Sequence, residues 1–223
     1  EVACVDAIAE DIDNIVECDG FMYQGLSIDD TVERIDANTG MIGVSCMFSQ
    51  DWLYTKDLLR AIRKRFPDTP IVVGGEHITA MPEFCLRDCP EIDCCVLGEG
   101  EETLVELAKH WHHRRFEAID GVAFLRDAEY LQSQPRSRIR EVDEIPHPAW
   151  DLFPMEVYLE TRNGHGVYRG RTMGILATRG CPYKCTFCSN PVMYGKLYIP
   201  RDPSDVLDEI ERYIHKYNCT NVD

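Results

Sequence analysis

The sequence predicts an α/β protein built on an open parallel sheet of Rossmann-like or flavodoxin-like type. Three observations carry that prediction. Short apolar runs alternate with helical patterns over the first 120 residues, the signature of βαβ units. Several of those runs are apolar at successive positions, as strands covered by helices on both faces are. The 223 residues are 44% hydrophobic and 28% charged, a globular balance that excludes wholesale disorder.

The strands are expected at residues 2–5, 41–45, 71–73 and 94–97. Between them, Ser27 can cap a helix with Asp30 three residues on, and Ile28, Val32 and Ile35 then share a face. Leu58, Ile62 and Phe66 repeat at i+4 in the next helix, which Pro67 stops. A third helix opens at Glu101 and Glu102 and ends near Lys109 and His110, charges that suit the helix dipole at both ends. Its core side is read as Leu104, Leu107 and Trp111. Residues 121–134 read as a hairpin closing this unit, and a charged stretch with Pro146 and Pro148 as a connector. A second unit then offers a strand over 172–178, a cysteine-rich loop and a helix. Asp202 caps that helix, Pro203 takes its first position, and Val206, Ile210 and Ile214 form its apolar face.

Charge excludes one class of partner. The formal net charge is −16, and residues 1–40 hold eleven carboxylates against the single Arg34. Such a face repels phosphate backbones and anionic lipid, so neither nucleic acid nor a membrane is an expected partner. No apolar run approaches the roughly 20 residues of a membrane helix. Eleven cysteines, an odd number without a secretion signal, read as reduced thiols of a cytoplasmic protein, some of them metal ligands.

Cys181, Cys185 and Cys188 stand in CxxxCxxC spacing directly after a predicted strand. Thiolates are the soft ligands that iron–sulfur clusters and zinc prefer. Three in one loop can grip three corners of a 4Fe–4S cube and leave the fourth iron open to a small molecule. Arg179 and Lys184 flank the loop and offset part of the resulting negative charge. Gly180 lets the backbone wrap closely. The competing reading is a zinc knuckle, but zinc typically completes four protein ligands, and Cys219 lies beyond a helix.

This loop, with Phe187 before its third cysteine, resembles the signature of the radical S-adenosylmethionine enzymes. The resemblance implies a 4Fe–4S cluster on Cys181, Cys185 and Cys188, with no catalytic residue beyond it. It also implies S-adenosylmethionine chelating the open iron with Phe187 near the adenine, and a 5′-deoxyadenosyl radical as the product of reductive cleavage. A reductant such as flavodoxin or ferredoxin and a small-molecule or peptide substrate are implied as partners. Residues 169–223 would then begin a partial TIM-type (β/α) barrel. Arg201 matches a basic position downstream of the loop in such proteins.

The unit in front must add something. Ligands of open parallel sheets sit beyond the carboxyl ends of the strands, and three of those ends are small or glycine-rich: Ser45-Cys46, Gly74-Gly75-Glu76-His77 and Gly98-Glu99-Gly100-Glu101. A nicotinamide site fits poorly, because Thr103 replaces the last glycine of GxGxxG and acidic residues would meet the pyrophosphate. The two glycine segments, and the connector over 142–151, resemble instead the cobalamin-binding domain that precedes the radical domain in many members of that superfamily. The resemblance implies cobalamin near Ser45, Gly74, Gly75, His77, Gly98, Glu99 and Gly100. The DxHxxG motif that ligates cobalt in related methyltransfer modules is absent, and His77 is read as bonding a backbone group rather than as its substitute.

Other residues earn plainer readings. His110, His112 and His113 with Arg114 and Arg115 read as a solvated helix end, and Asp6 as an exposed carboxylate rather than a ribose ligand. Cys85, Cys89, Cys94 and Cys95 read as small core hydrophobes. The domain boundaries expected are 1–134 for the cobalamin-binding-like domain, 135–168 for a linker and 169–223 for the start of the radical domain. The chain reads as an internal fragment whose sheet lacks its first strand. The resemblance implies methyl transfer to an unactivated centre. The alternatives are a cobalamin-dependent radical cyclase or rearrangement enzyme such as the anaerobic cyclase of chlorophyll synthesis, a methylthiotransferase, and a non-catalytic zinc or iron–sulfur module.

Overall fold

The computed structural model describes residues 1–18, 20–111, 116–161 and 169–223, and of Cys18 the backbone only. His112, His113, Arg114 and Arg115 lie outside the described residues. The elements in chain order are β1 (Ile15–Cys18), β2 (Phe21–Gln24), α1 (Ile28–Glu33), β3 (Ile42–Ser45), α2 (Trp52–Arg65), β4 (Ile71–Gly74), α3 (Glu76–Ala80), α4 (Pro82–Asp88), β5 (Cys94–Val96) and α5 (Glu101–His110). Then follow β6 (Val122–Arg126), β7 (Glu129–Gln132), α6 (Met155–Thr161), β8 (Thr172–Met173), β9 (Thr178–Arg179), α7 (Asn190–Met193), β10 (Ile199–Pro200), α8 (Pro203–Tyr217) and β11 (Asn221–Val222). Contacts sort them into two units. One comprises residues 36–140 and 180–198; the other comprises 1–35, 141–179 and 199–223.

In the first of these units, one five-stranded sheet runs in the order β3-β4-β5-β6-β7. The pairs β3–β4 and β4–β5 are parallel, while β6 and β7 form the expected antiparallel hairpin on the β5 edge. The sheet is therefore mixed, with its parallel part where the alternating pattern predicts it. Successive residues go to opposite faces, so a strand apolar at every position needs cover on both sides. Ile71, Val72, Val73, Cys94, Cys95 and Val96 are all buried. Val72, Cys94 and Val96 pack with Leu107, Ile119, Val122 and Phe124. Each large side chain buried here contributes about 1.5–3 kcal/mol.

Two helix faces of this unit differ from expectation. In α2 the buried stripe is Trp52, Thr55, Leu59 and Ile62, continued by Phe66, and Leu58 is only half-buried. In α5 Thr103 and Leu107 are buried and Leu104 is 40% exposed. The hydroxyl of Thr103 accepts from Arg136 Nε at 2.7 Å and donates to the Asp120 carbonyl at 3.2 Å. Once hydrogen-bonded, a polar side chain can take a core position that a periodicity of apolar residues assigns to its neighbour.

Residues 2–5 form no strand; Val2 is 71% exposed, and the run leads into a turn in which Asp6 accepts from the Ala9 N–H at 3.1 Å. An apolar run signals burial only where another surface covers it. Asp6 is not a free surface carboxylate, because the Tyr158 hydroxyl donates to it at 2.8 Å. Burial, with that bond, pushes the Tyr158 phenol up. The other unit, to which residues 1–35 belong, also holds the hairpin β1–β2, which the sequence reading does not anticipate.

The second unit's helix α8 begins as the sequence indicates. The Asp202 carboxylate accepts from the Ser204 N–H at 2.8 Å, and Pro203 fills the first position. Its buried stripe is Glu209, Tyr213 and Tyr217, whereas Ile214 is 47% exposed. The polar stripe is tolerated because its members are paired: Tyr213 donates to Glu209, Trp150 Nε1 donates to Tyr213 at 2.9 Å, and Arg201 forms an ion pair with Glu209 at 2.6 Å. The expected single strand over 172–178 is two short pieces. The first, β8, pairs in parallel with β11, and β9 pairs antiparallel with β10. With α8 between its two strands, β8–α8–β11 is a βαβ unit. Among the described residues no helix is long and apolar enough to cross a membrane.

At the β3–β4 end, Gly75 has φ +106°, and a Cβ there would lie 2.4 Å from the Cys46 carbonyl oxygen. Gly75→Ala is expected to lower unfolding free energy by at least about 2 kcal/mol, from left-handed strain plus backbone displacement. Equilibrium urea unfolding checks this, and an unchanged midpoint would contradict it.

Candidate cofactor site at the sheet edge

The carboxyl ends of β3, β4 and β5 and the segment 180–198 belong to one unit, so the predicted glycine edge and the predicted cysteine loop come together. Ser45 and Gly74 end β3 and β4 in register, and the Cys46 N–H donates to the Gly74 carbonyl at 2.8 Å. The nearest atom to a Cβ at Gly74 would be 3.7 Å away, an ordinary contact. Internal packing does not require a glycine there. A bare backbone at the end of a strand instead suits close approach by a broad, flat ligand, which is the shape of a corrin.

His77 sits on α3, just beyond the glycines, and is 5% exposed. Its Nδ1 lies 2.9 Å from Ser49 Oγ, and its ring is 5.3 Å from that of Trp52. Its partner is thus a side-chain hydroxyl rather than the backbone group expected. The Nε2 atom is buried with no hydrogen-bond partner among the described residues. Burial holds the His77 pKa below the ordinary 6.5, because charging an imidazole there would forfeit its hydration.

The turn after β5 is more constrained. Gly98 has φ +68° and donates its N–H to Thr79 Oγ1 at 3.1 Å; a Cβ would meet the Met193 carbonyl at 3.4 Å. The Glu99 side chain is 4% exposed, and its Oε2 accepts from Arg138 Nε at 2.6 Å and from the Ile139 N–H at 3.1 Å. Removing one member of such a buried pair typically costs about 3–5 kcal/mol. Gly100 precedes α5, where a Cβ would approach Val96 to 3.3 Å.

The cysteine segment is fixed to this edge at named points. Gly180 has φ +82°, and a Cβ would stand 1.9 Å from the Leu197 carbonyl, so the segment's two ends approach closely. Ser189 Oγ donates to Glu76 Oε2 at 2.9 Å. Arg138 reaches the Leu197 carbonyl through Nη1 at 3.4 Å and stacks its guanidinium 5.5 Å from the Tyr194 ring centre. Cys181 is half-buried, and Cys185 and Cys188 are exposed. Phe187 is 91% exposed.

The other described thiols make a contrast. Cys46, Cys85, Cys89, Cys94, Cys95 and Cys219 are buried, and Cys4 is half-buried. Burial pushes the Cys85 and Cys89 thiols up to about 12 and raises those of Cys94 and Cys95 well above the ordinary thiol range. Such thiols stay protonated at neutral pH and act as core hydrophobes, as the sequence indicates. The accessible donors are concentrated in the loop. Three thiols of one loop are the donor set that an iron–sulfur cluster takes. Among the described residues, however, no group of three His, Cys, Asp or Glu side chains is gathered closely enough to hold a metal ion.

Sequence reasoning missed Arg138, Ser189, Tyr194 and Ser49. A signal for Arg138 exists. Arg136, Arg138 and Arg140 alternate, and alternate residues of an extended segment share a side. Glu99, Glu102 and Glu106 lie three and four apart, on one side of a helix start. Arg136 pairs with Glu102 and Glu106 as Arg138 pairs with Glu99. A cavity of about 600 Å³ lies in the other unit, between residues 142–150, 174–176 and α8. Arg201 bonds the Leu176 carbonyl at 2.9 Å, Asp205 at 3.0 Å and Glu209, so Arg201 ties that unit together.

Residues 5–108 match the B12 binding domain family. An uncharacterised methyltransferase of Pyrococcus horikoshii is 34% identical over 69% of this chain and 32% of its own length. The cytidylyl-2-hydroxyethylphosphonate methyltransferase of Streptomyces wedmorensis is 30% identical over 97% of this chain and 46% of its own. The anaerobic magnesium-protoporphyrin IX monomethyl ester cyclase of Cereibacter sphaeroides is 33% identical over 73% and 26%. The chain thus spans about half the length of these relatives or less. Among solved structures, the radical S-adenosylmethionine methyltransferase TsrM of Kitasatospora setae superposes with a TM-score of 0.62 over 87% of this chain and 38% of that one, at 21% identity. That likeness is one of fold.

The depressed His77 pKa has a consequence for stability. The unfolded imidazole takes up a proton near pH 6.5, before the folded one does. Stability therefore falls as pH drops below 6.5 toward the folded pKa. His77→Gln is expected to flatten that part of the curve in urea unfolding between pH 7.5 and 5. Parallel curves for the two proteins would contradict it.

Proposed function

We propose that this chain, whose residues 5–108 match the B12 binding domain family, is part of a cobalamin-binding radical S-adenosylmethionine enzyme that binds three cofactors and transfers a methyl group to an unactivated centre. The observation that carries this reading is the meeting, in one unit, of a bare glycine strand end with the accessible three-cysteine loop. Cys181, Cys185 and Cys188 would hold a 4Fe–4S cluster, with Phe187 beside S-adenosylmethionine. Ser45, Gly74, Gly75, Gly98 and Gly100 would line the corrin. His77 and Glu99, held by Ser49 and Arg138, would shape that surface without ligating cobalt. When bound, the cluster and S-adenosylmethionine supply a radical, and the corrin supplies a methyl group.

The protein's own residues would do the binding and the exclusion. Glycines admit the ligand, and the buried His77 stays neutral and adds no charge beside it. The clamps at Glu76 and Arg138 hold the cysteine segment over the same edge. A flavodoxin or ferredoxin is the proposed reductant, and a small molecule or peptide the proposed substrate. A second reading, radical cyclisation, is favoured by the 33% identity to the cyclase, and the same cofactor set serves it.

The test is anaerobic reconstitution followed by hydroxocobalamin and gel filtration. About four irons and one corrin are expected to co-elute with each chain. Cys185→Ala should lose iron and keep corrin, and Gly74→Leu should lose corrin and keep iron. Stoichiometric zinc, or no retained corrin in the wild type, would overturn the reading.

A further inference from the structure

We propose that Arg138 is a positioning residue for the cysteine loop and the cationic hydrogen-bond donor that sets the electrostatics of the cluster held there. The proposal rests on the reading of Cys181, Cys185 and Cys188 as cluster ligands. It adds a residue that neither the spacing of those cysteines nor the B12-binding family assigns.

Four observations place Arg138 at the loop. Its Nε is anchored on the buried Glu99 at 2.6 Å. Its Nη1 reaches the carbonyl of Leu197, at the far end of the cysteine segment, at 3.4 Å. Its guanidinium lies 5.5 Å from the centre of the Tyr194 ring in that same segment. The same Nη1 would stand 3.3 Å from a Cβ at Gly180, the residue that precedes Cys181. An arginine remote in sequence thus bridges the turn after β5 and both ends of the ligand segment.

One donor is left over. Arg138 Nη2 is buried and has no hydrogen-bond partner among the described residues. A buried guanidinium N–H without an acceptor is costly, and native structures rarely leave one without a use. An anionic cluster seated on the neighbouring three-thiol loop would offer such an acceptor in its sulfurs. A cluster with three thiolates becomes more negative on reduction, and a fixed cation or an N–H directed at its sulfurs stabilises the reduced state. With its side chain 20% exposed, Arg138 is less screened by salt than a surface charge such as Lys184. Glu99 opposes it. The carboxylate orients the guanidinium and cancels part of its field, so the two residues should act on the cluster with opposite signs.

That opposition gives the test. The reconstituted protein is titrated anaerobically with dithionite and mediators, and the EPR signal of the reduced cluster reports the midpoint potential; iron content and thermal melting are measured alongside. Arg138→Gln is expected to shift the midpoint to lower potential, and Arg138→Lys, which keeps the charge, to shift it less. Glu99→Gln keeps the hydrogen bonds, removes the opposing charge and is expected to shift the midpoint upward. If Arg138→Gln melts before it can be titrated, Glu99→Gln and Arg138→Lys still decide the sign. Midpoints equal to the wild type at full iron loading, or shifts of one sign in both Arg138→Gln and Glu99→Gln, would overturn the proposal and leave the cluster reading standing. A wild type that retains no iron would overturn both.

Discussion

The ion pair between Glu99 and Arg138 is the contact on which the arrangement of the candidate site turns. A carboxylate with 4% of its side chain exposed has given up most of its hydration, and it is stable there only because a guanidinium and a backbone N–H replace the water. That requirement fixes the segment carrying Arg138 against the turn after β5. Arg138 in turn reaches Leu197 and Tyr194, so a pairing demanded by desolvation also holds the cysteine segment against the sheet edge. The bond from Ser189 to Glu76 acts in the same sense from the other end of the edge.

Two kinds of cysteine follow from two kinds of environment. In β5 the thiols of Cys94 and Cys95 face opposite sides of a sheet covered on both, and protonation there is enforced by desolvation. In the loop after β9, glycine and polar residues keep the backbone out of the core, and Cys185 and Cys188 remain at the surface. Cysteine count alone does not separate the two; position relative to the strand pattern does. The same division explains why one chain carries structural thiols and candidate ligands side by side without confusion of role.

Much of this was legible in the sequence because local chemistry dictated it. The continuous apolar runs at Ile71–Gly74 and Cys94–Val96 could only be covered strands, and Ser27 and Asp202 cap where their side chains compete best for the first free N–H groups. The glycine segments and the cysteine spacing marked the candidate site. What escaped notice depends on pairing between distant residues. Thr103 replaces Leu104 in the core because Arg136 satisfies its hydroxyl. Glu209, Tyr213 and Tyr217 replace Ile214 because Arg201, Trp150 and Asp151 bond them. Residues 2–5 fail as a strand because an apolar run specifies burial and not a partner. Arg138 was hidden for the same reason: its role exists only when Glu99, nearly forty positions earlier, is folded beside it.

The central claim is that three thiols in one loop leave one iron of a four-iron cluster without a protein ligand. Mössbauer spectroscopy of the anaerobically reconstituted protein with 57Fe, recorded before and after adding S-adenosylmethionine, tests it most directly. The account predicts that one iron of the four separates from the rest when S-adenosylmethionine is added. Four irons that respond alike, or a spectrum unchanged by it, would contradict the claim.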